Sequence, residues 1–181
     1  RYPTTLLIPP KSAPCLREIL PPSITPHVHP KSAQPLPYSI SFASPEKINA
    51  ILTNPPHGKT VILMPGKQAI ERAFVTYAES LECQDCTLFC QGFSGGQGRF
   101  QSEFASASGS AILLIIPWIF EGLELPLFCL DRLVIASLPF DSPVYPTIAR
   151  RSLHYQDSFS QYSVPRLEQR LFRIIRTFCR F

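Results

Sequence analysis

Short apolar runs alternate with amphipathic segments over most of the chain after residue 60. Runs such as 111–116 are apolar at every position, which is typical of strands that are buried on both faces. Segments such as 67–82 repeat apolar residues every three or four positions, which is typical of helices with one buried face. The pattern predicts strands 60–64, 86–90, 111–116 and 132–138, and helices 67–82, 98–107, 146–155 and 165–179.

This alternation predicts an α/β fold, in which helices cover both faces of a mainly parallel sheet. In such sheets the working loops lie beyond the carboxyl ends of the strands. Upstream, residues 4–8 and 38–42 alternate as two further short strands. Ser44 as a cap, Pro45 at the first helical position and Glu46 in the first turn predict a helix over 45–52.

Proline separates the chain into two regions. Of its 20 prolines, 13 fall within residues 1–56, and proline cannot donate to a strand ladder. We therefore predict a Pro-rich arm or linker over 1–37, lying along the side of a globular domain over 38–181. The hydrophobic content of 45% and charged content of 17% fit a globular protein. A net charge of +4 is compatible with a polyanionic partner but does not require one.

The cysteines and histidines raise the alternative of a metal site. Cys83, Cys86 and Cys90 have the spacing C-x2-C-x3-C, but the run 86–90 alternates like a buried strand. His27 and His29 form a lone H-x-H pair in a Pro-rich segment. The cysteines are interpreted as buried structural residues and the histidines as exposed, and no metal site is predicted.

Two glycine-containing segments resemble nucleotide motifs only superficially. Gly58-Lys-Thr60 precedes a strand and position 53 is Thr where a P-loop requires Gly, so we interpret it as a turn. The loop over 92–98 does not satisfy G-x-G-x-x-G, since Gln101 occupies the last place. Its glycines would still let backbone N–H groups approach a phosphate.

The predicted C-terminal helix carries the strongest candidate chemistry. On a period of 3.6 residues, Gln169, Arg173 and Arg176 share one face. Two guanidiniums beside an amide can grip a polyphosphate, because each arginine binds two oxygens and keeps its charge. The alternative is that the arginines form only the solvated face of the helix. The opposite, apolar face comprises Leu171, Ile174, Ile175 and Phe178.

Five short motifs follow one another in a diagnostic order. They are Val61-Ile-Leu-Met-Pro-Gly-Lys67, Gln91-Gly92, Phe120-Glu-Gly-Leu-Glu124, Leu138-Pro-Phe-Asp-Ser-Pro143 and Gln169-Arg-Leu-Phe-Arg-Ile-Ile-Arg176. The first, third and last are similar to motifs IV, V and VI of superfamily 2 helicases. Over residues 36–181 the chain resembles the C-terminal RecA-like lobe of the DinG/XPD type.

This resemblance implies a RecA-like three-layer fold and a set of roles. Arg173 and Arg176 would act as arginine fingers on ATP held by a first motor lobe, with Gln169 positioning them. Motif V would lie near the nucleotide, and a helix N-terminus there would approach a nucleic-acid phosphate. The motif V residues implied are Glu121, Gly122 and Glu124. The candidates for contact with single-stranded DNA are Lys67, Phe93, Arg99 and Trp118.

The sequence also departs from the family pattern at three positions. Phe172 and Arg170 stand where the family has glycine or another small residue, and Glu124 stands for Asp. These departures keep two alternatives open: a degenerate, non-catalytic lobe that binds nucleic acid or protein, and an unrelated α/β enzyme.

The sequence and its resemblance to the helicase family also lead to expectations about cofactors and cellular location. No Walker A sequence or Asp-Glu box occurs, so this chain alone is not expected to hydrolyse ATP. ATP and Mg²⁺ would be held mainly by the first lobe, and no iron–sulfur cluster is expected here. With no apolar run of about 18 residues, we expect no membrane partner and a soluble, cytoplasmic or nucleoid-associated piece of a longer protein.

Overall fold

The computed structural model describes residues 45–126 and 129–178. The first elements are α1 (Pro45–Thr53), β1 (Lys59–Leu63), α2 (Lys67–Glu82), β2 (Cys86–Cys90), α3 (Gln97–Ser106) and β3 (Ser110–Ile115). They are followed by α4 (Pro117–Phe120), β4 (Arg132–Ile135), α5 (Pro146–Ser152) and α6 (Val164–Phe178). A π-helical turn, Phe159–Ser163, leads directly into α6.

The four strands form one parallel sheet in the order β2-β3-β1-β4. In the centre, Val61 of β1 lies between Leu113 of β3 and Leu133 of β4. Because the strands are parallel, their carboxyl ends all reach the same side, which we call the carboxyl edge. The predicted α/β fold with a mainly parallel sheet is confirmed.

Helices cover both faces of the sheet and produce three layers. On one face, Leu52 of α1 and Ile70 of α2 pack against Ile112 of the sheet. On the other, Phe104 of α3 and Ile174 of α6 join a second cluster. Each of these side chains is at least 98% buried. The arrangement agrees with the RecA-like layering that the motifs imply.

The predicted element bounds agree closely in the first part of the chain. Helix 67–82 and strand 86–90 match the structure to the residue. The predicted strand 132–138 extends three residues too far, because β4 ends at Ile135. Its partner β1 stops at Leu63, whose carbonyl accepts a last hydrogen bond from the Ala136 N–H. The helix predicted over 146–155 ends at Ser152.

Two short elements were not predicted, and one expected helix is absent. The helix α4 and the π-helical turn were both missed, since four or five residues are too few to show a period. No helix begins at motif V within the described stretch 121–126, so the helix N-terminus expected there is wrong. The predicted strands 4–8 and 38–42 and the Pro-rich arm lie outside the described residues.

Candidate functional site

Four loops gather at the carboxyl edge of the sheet. The loop after β2 is tied to the end of β3, because the Ile116 N–H donates to the Gln91 side-chain carbonyl at 3.1 Å. The same loop turns through Gly92, whose φ of 91° is a conformation that residues with a Cβ rarely adopt. The glycine is therefore required by the backbone turn itself, whatever the loop binds.

Helix α6 is fixed in place by an apolar stripe on one side. Leu167 and Ile174 are buried, and Phe178 packs against the same cluster as Ile174. At the start of the helical segment, Asp157 accepts hydrogen bonds from the N–H groups of Phe159 and Ser160. Hydrogen bonds from Ser160 are the main cause that lowers the pKa of Asp157. The stripe orients the arginine-bearing flank of α6 toward the loops after β3 and β4.

Glu121, just beyond α4, meets two arginines of α6. Its Oε2 lies 3.1 Å from Nε of Arg173, and its Oε1 lies 3.8 Å from Nε of Arg170. The Glu121 side chain is 21% exposed, whereas that of Arg173 is 58% exposed. A half-buried carboxylate thus holds a guanidinium that still faces solvent.

Asp141, in the loop after β4, meets the neighbouring arginines. Its Oδ1 lies 3.0 Å from Nη1 of Arg170, and its Oδ2 accepts a hydrogen bond from Nε of Arg166. Arg170 also donates through Nη1 to the Pro139 carbonyl at 3.3 Å. Arg166 lies over the Tyr162 ring, with 5.3 Å from its guanidinium carbon to the ring centre. We call Glu121, Asp141, Arg166, Arg170 and Arg173 the carboxylate–arginine network.

Comparison with known proteins identifies the family of this chain. Residues 48–178 match the helicase C-terminal domain, which is more than half of the chain. The chain belongs to the helicase C-terminal domain family. A search of curated proteins and a search of solved structures each found no significant match.

In this helicase domain, the sequence-predicted residues of motif V have different surroundings. Glu121 is the one whose side chain meets α6, and so contacts the predicted residue Arg173. The carbonyl of Gly122 accepts a hydrogen bond from the Gln97 side chain at 3.5 Å, and that of Glu124 accepts one from Gln101. The backbone of motif V is therefore tied to α3, while its first carboxylate faces α6.

The other motif VI residues and the predicted nucleic-acid contacts stand apart from the network. Gln169 and Arg176 are exposed on α6. Lys67 begins α2, and Arg99 in α3 pairs with Glu103 at 2.8 Å. Phe93 stacks on Phe74 with 5.0 Å between ring centres, and Trp118 lies in α4. Phe93 and Trp118 are 50% and 55% exposed, and all four predicted contacts follow the carboxyl end of a strand.

Sequence reasoning missed three members of the carboxylate–arginine network: Asp141, Arg166 and Arg170. Asp141 was detectable in principle, since it lies in the Leu-Pro-Phe-x-x-Pro motif directly after β4. Arg166 is one of several arginines on the C-terminal helix, and nothing in its spacing sets it apart from the others. Its pairing depends on a contact between distant segments, which local sequence does not reveal.

The cysteines of this helicase domain are placed as the strand pattern predicts. Cys86 and Cys90 are buried in β2, and burial raises the pKa of Cys90 to about 12. Within residues 45–126 and 129–178, no group of three or more His, Cys, Asp or Glu residues is arranged to hold a metal ion. Across the same residues, no helix has the length and apolar character that spanning a membrane requires.

Proposed function

We propose that this helicase C-terminal domain is the second motor lobe of an ATP-dependent DNA helicase of the DinG/XPD type. In this proposal a first motor lobe holds ATP and Mg²⁺, and Arg173 and Arg176 reach the nucleotide with Gln169 positioning them. The observation that carries it is the contrast between Arg173, 58% exposed at the carboxyl edge, and its neighbour Ile174, fully buried. The finger projects from a helix whose other side is anchored in the core.

The proposed role of Arg173 is to neutralise negative charge on the phosphate. A guanidinium that approaches from across a cleft stabilises the negative charge that develops on the γ-phosphoryl group, and such a finger contributes about 10³ to 10⁵ in rate. A catalytic group on a rigid helix is held more accurately than one on a loop. The buried stripe of α6 provides that rigidity.

The charges of the network support placing Mg²⁺ on the other lobe. Mg²⁺ bound with ATP neutralises phosphate charge and prefers carboxylate and water oxygens. Glu121 and Asp141 are both paired with arginines, so their charges are already balanced. We therefore assign this lobe the arginines and assign the metal-binding carboxylates to the first lobe.

Single-stranded DNA is the proposed partner of the remaining carboxyl edge. Lys67 and Arg99 would pair with phosphates, and the half-exposed rings of Phe93 and Trp118 would stack on bases. The four residues lie on one side of the sheet, which supports a continuous path for a strand. A DNA-tracking enzyme of this kind would work in the cytoplasm or on the nucleoid.

The test is substitution of the finger in the full-length protein. Arg173→Ala should lower kcat by about 10³ or more and leave ATP affinity nearly unchanged, because the charge is needed mainly in the transition state. Steady-state ATP turnover and equilibrium ATP titration measure the two effects. Arg150→Ala, an exposed arginine on α5, is the control and should change neither. An Arg173→Ala enzyme with the wild-type kcat refutes the finger role.

A degenerate, non-catalytic lobe is favoured by one observation. Phe172, 56% exposed beside Arg173, stands where the related helicases have glycine. Its ring would occupy space between α6 and a nucleotide on a facing lobe. If wild type has no ATP turnover and Phe172→Gly gains it, the interaction-module function replaces the motor function.

A further inference from the structure

We propose that Glu121 is a positioning residue that holds Arg173 for catalysis, and that Arg170 clamps Glu121 in the required orientation. This inference rests on the proposed role of Arg173 as an arginine finger. It assigns Glu121 to the arginines of α6 rather than to the nucleotide itself. It also gives a function to Arg170, which occupies a position where related helicases have a small residue.

An exposed finger needs an anchor. An arginine side chain carries about 2 kcal/mol of rotamer entropy, and productive geometry tolerates errors of only about 0.5 Å. Arg173 is 58% exposed, so solvent alone would leave its guanidinium many orientations. Glu121 restricts them through an Nε–Oε2 distance of 3.1 Å. Because the contact uses Nε, the terminal amino groups of Arg173 are left to donate to a phosphoryl group.

Glu121 is suited to act as that anchor because its own position is constrained. It immediately follows α4, and its backbone N–H donates to the Pro117 carbonyl at 3.1 Å. Its side chain is only 21% exposed, which weakens solvent screening of its charge. The anchor is therefore better ordered by its surroundings than the finger it holds.

Arg170 supports Glu121 from the other side. It is 20% exposed, its Nη1 lies 3.0 Å from Asp141, and its Nε lies 3.8 Å from Glu121. That buried Nε makes no hydrogen bond in the described part of the chain. A buried donor without a partner is costly, so Glu121 is the carboxylate that this nitrogen attracts. Arg170 thereby joins the loop after β3 to the loop after β4 and balances the charge of Glu121.

The pairing is tested first on this chain, without ATP. Nuclear magnetic resonance of the arginine Nε–Hε groups reports exchange of the Arg173 Hε with water. We expect exchange to accelerate at least about threefold in Glu121→Gln, because a charge-assisted contact is replaced by a neutral one. Glu79→Gln, the same change at an exposed position on α2, should have no effect. Equal Hε exchange in wild type and Glu121→Gln overturns the inference.

The positioning role is tested on ATP turnover of the full-length protein. Glu121→Gln should lower kcat by about tenfold or more with ATP affinity within about twofold, and Glu121→Asp should retain more turnover than Glu121→Gln. Arg170→Gln should also lower kcat. The double variant should lose less than the product of the two single losses, since both act through one contact.

The outcomes separate this inference from the proposed function. If Arg173→Ala abolishes turnover but Glu121→Gln keeps the wild-type kcat, the positioning role is refuted and the finger stands. If Glu121→Gln turns over ATP faster than wild type, Glu121 competes with phosphate for Arg173 and the inference is overturned. If Arg173→Ala itself is fully active, the proposed function fails and the positioning role fails with it.

Discussion

The two halves of the domain, residues 45–116 and 117–178, are built differently. The first half alternates strands and helices that fold back onto the sheet, and it provides most of the buried apolar side chains. Of the 11 large apolar side chains that are exposed in the described residues, nine lie in the second half. The carboxylate–arginine network also lies wholly in the second half. The first half thus holds most of the buried core, and the second half presents most of the exposed apolar surface together with the carboxylate–arginine network.

The contrast arises from how completely the helices and strands of each half are packed. In the first half, α2 and α3 return over the sheet and bury residues along their lengths. In the second half, β4 has only four residues and α5 buries none. Side chains such as Val144 and Leu153 are more than 80% exposed as a result. Exposed apolar side chains of this kind are expected where a surface meets a partner, as the proposed function requires of this lobe.

The largest expected effect comes from removing one phenylalanine from each half. Phe104 is fully buried and meets Phe89 edge to face with 5.7 Å between ring centres, whereas Phe159 is 61% exposed. Phe104→Ala should lower the free energy of unfolding by about 3 to 5 kcal/mol, because it removes buried surface and leaves a cavity. Phe159→Ala should cost less than about 1 kcal/mol. Urea denaturation measures both, and equal losses would contradict this distinction between the two halves.

The accuracy with which the sequence predicts helix and strand bounds also differs between the two halves. In the first half, buried strands and one-sided helices have a clear period, so helix 67–82 and strand 86–90 were predicted to the residue. In the second half, the predicted strand extends to Leu138, which is 59% exposed, although the ladder with β1 ends at Ile135. A run of apolar residues does not reveal where its partner strand stops.

The candidate site was predictable in its residues but not in its contacts. Motif order singled out Glu121 and Arg173, and the structure brings them within 3.1 Å. Nothing local in the sequence indicated that Asp141 would pair with Arg166 and Arg170, residues about 25 to 29 positions away. Such pairs depend on where the loops and α6 come to lie in three dimensions.

An intermediate effect is expected on binding of single-stranded DNA. The chain should bind a labelled oligonucleotide weakly, with affinity that falls as salt rises, because phosphate contacts release counterions. Trp118→Ala should weaken binding by about 1 to 3 kcal/mol through loss of stacking. Phe93→Ala should do less, since Phe93 already stacks on Phe74.

Fluorescence anisotropy at several salt concentrations measures these affinities. Phe159→Ala is the matched control, because its ring is as exposed as that of Trp118 but is not a predicted DNA contact. An affinity that does not change with salt, or equal weakening by Trp118→Ala and Phe159→Ala, argues against the proposed DNA path along the carboxyl edge.

The smallest expected effect compares one thiol from each half as a function of pH. Burial raises the pKa of Cys90 in β2 to about 12. Burial also raises the pKa of Cys129, but there the charge of Lys59 opposes the rise. Cysteines of an unfolded chain titrate near pH 8.5, at about the ordinary value for a thiol. Above that pH the folded protein therefore holds a proton on Cys90 that the unfolded chain has released.

This difference in bound protons fixes the sign of the pH dependence. Where the unfolded state binds fewer protons, the free energy of unfolding falls as pH rises. The contribution of Cys90 is fully present below about pH 8.5 and should fall by about 1 kcal/mol between pH 9 and 10. Urea denaturation at these two pH values should show a smaller fall for Cys90→Ala than for wild type, and Cys129→Ala should lie between them. If Cys90→Ala shows the wild-type fall, the thiol ionises within the folded sheet, and the first half is less tightly closed than its buried strands indicate.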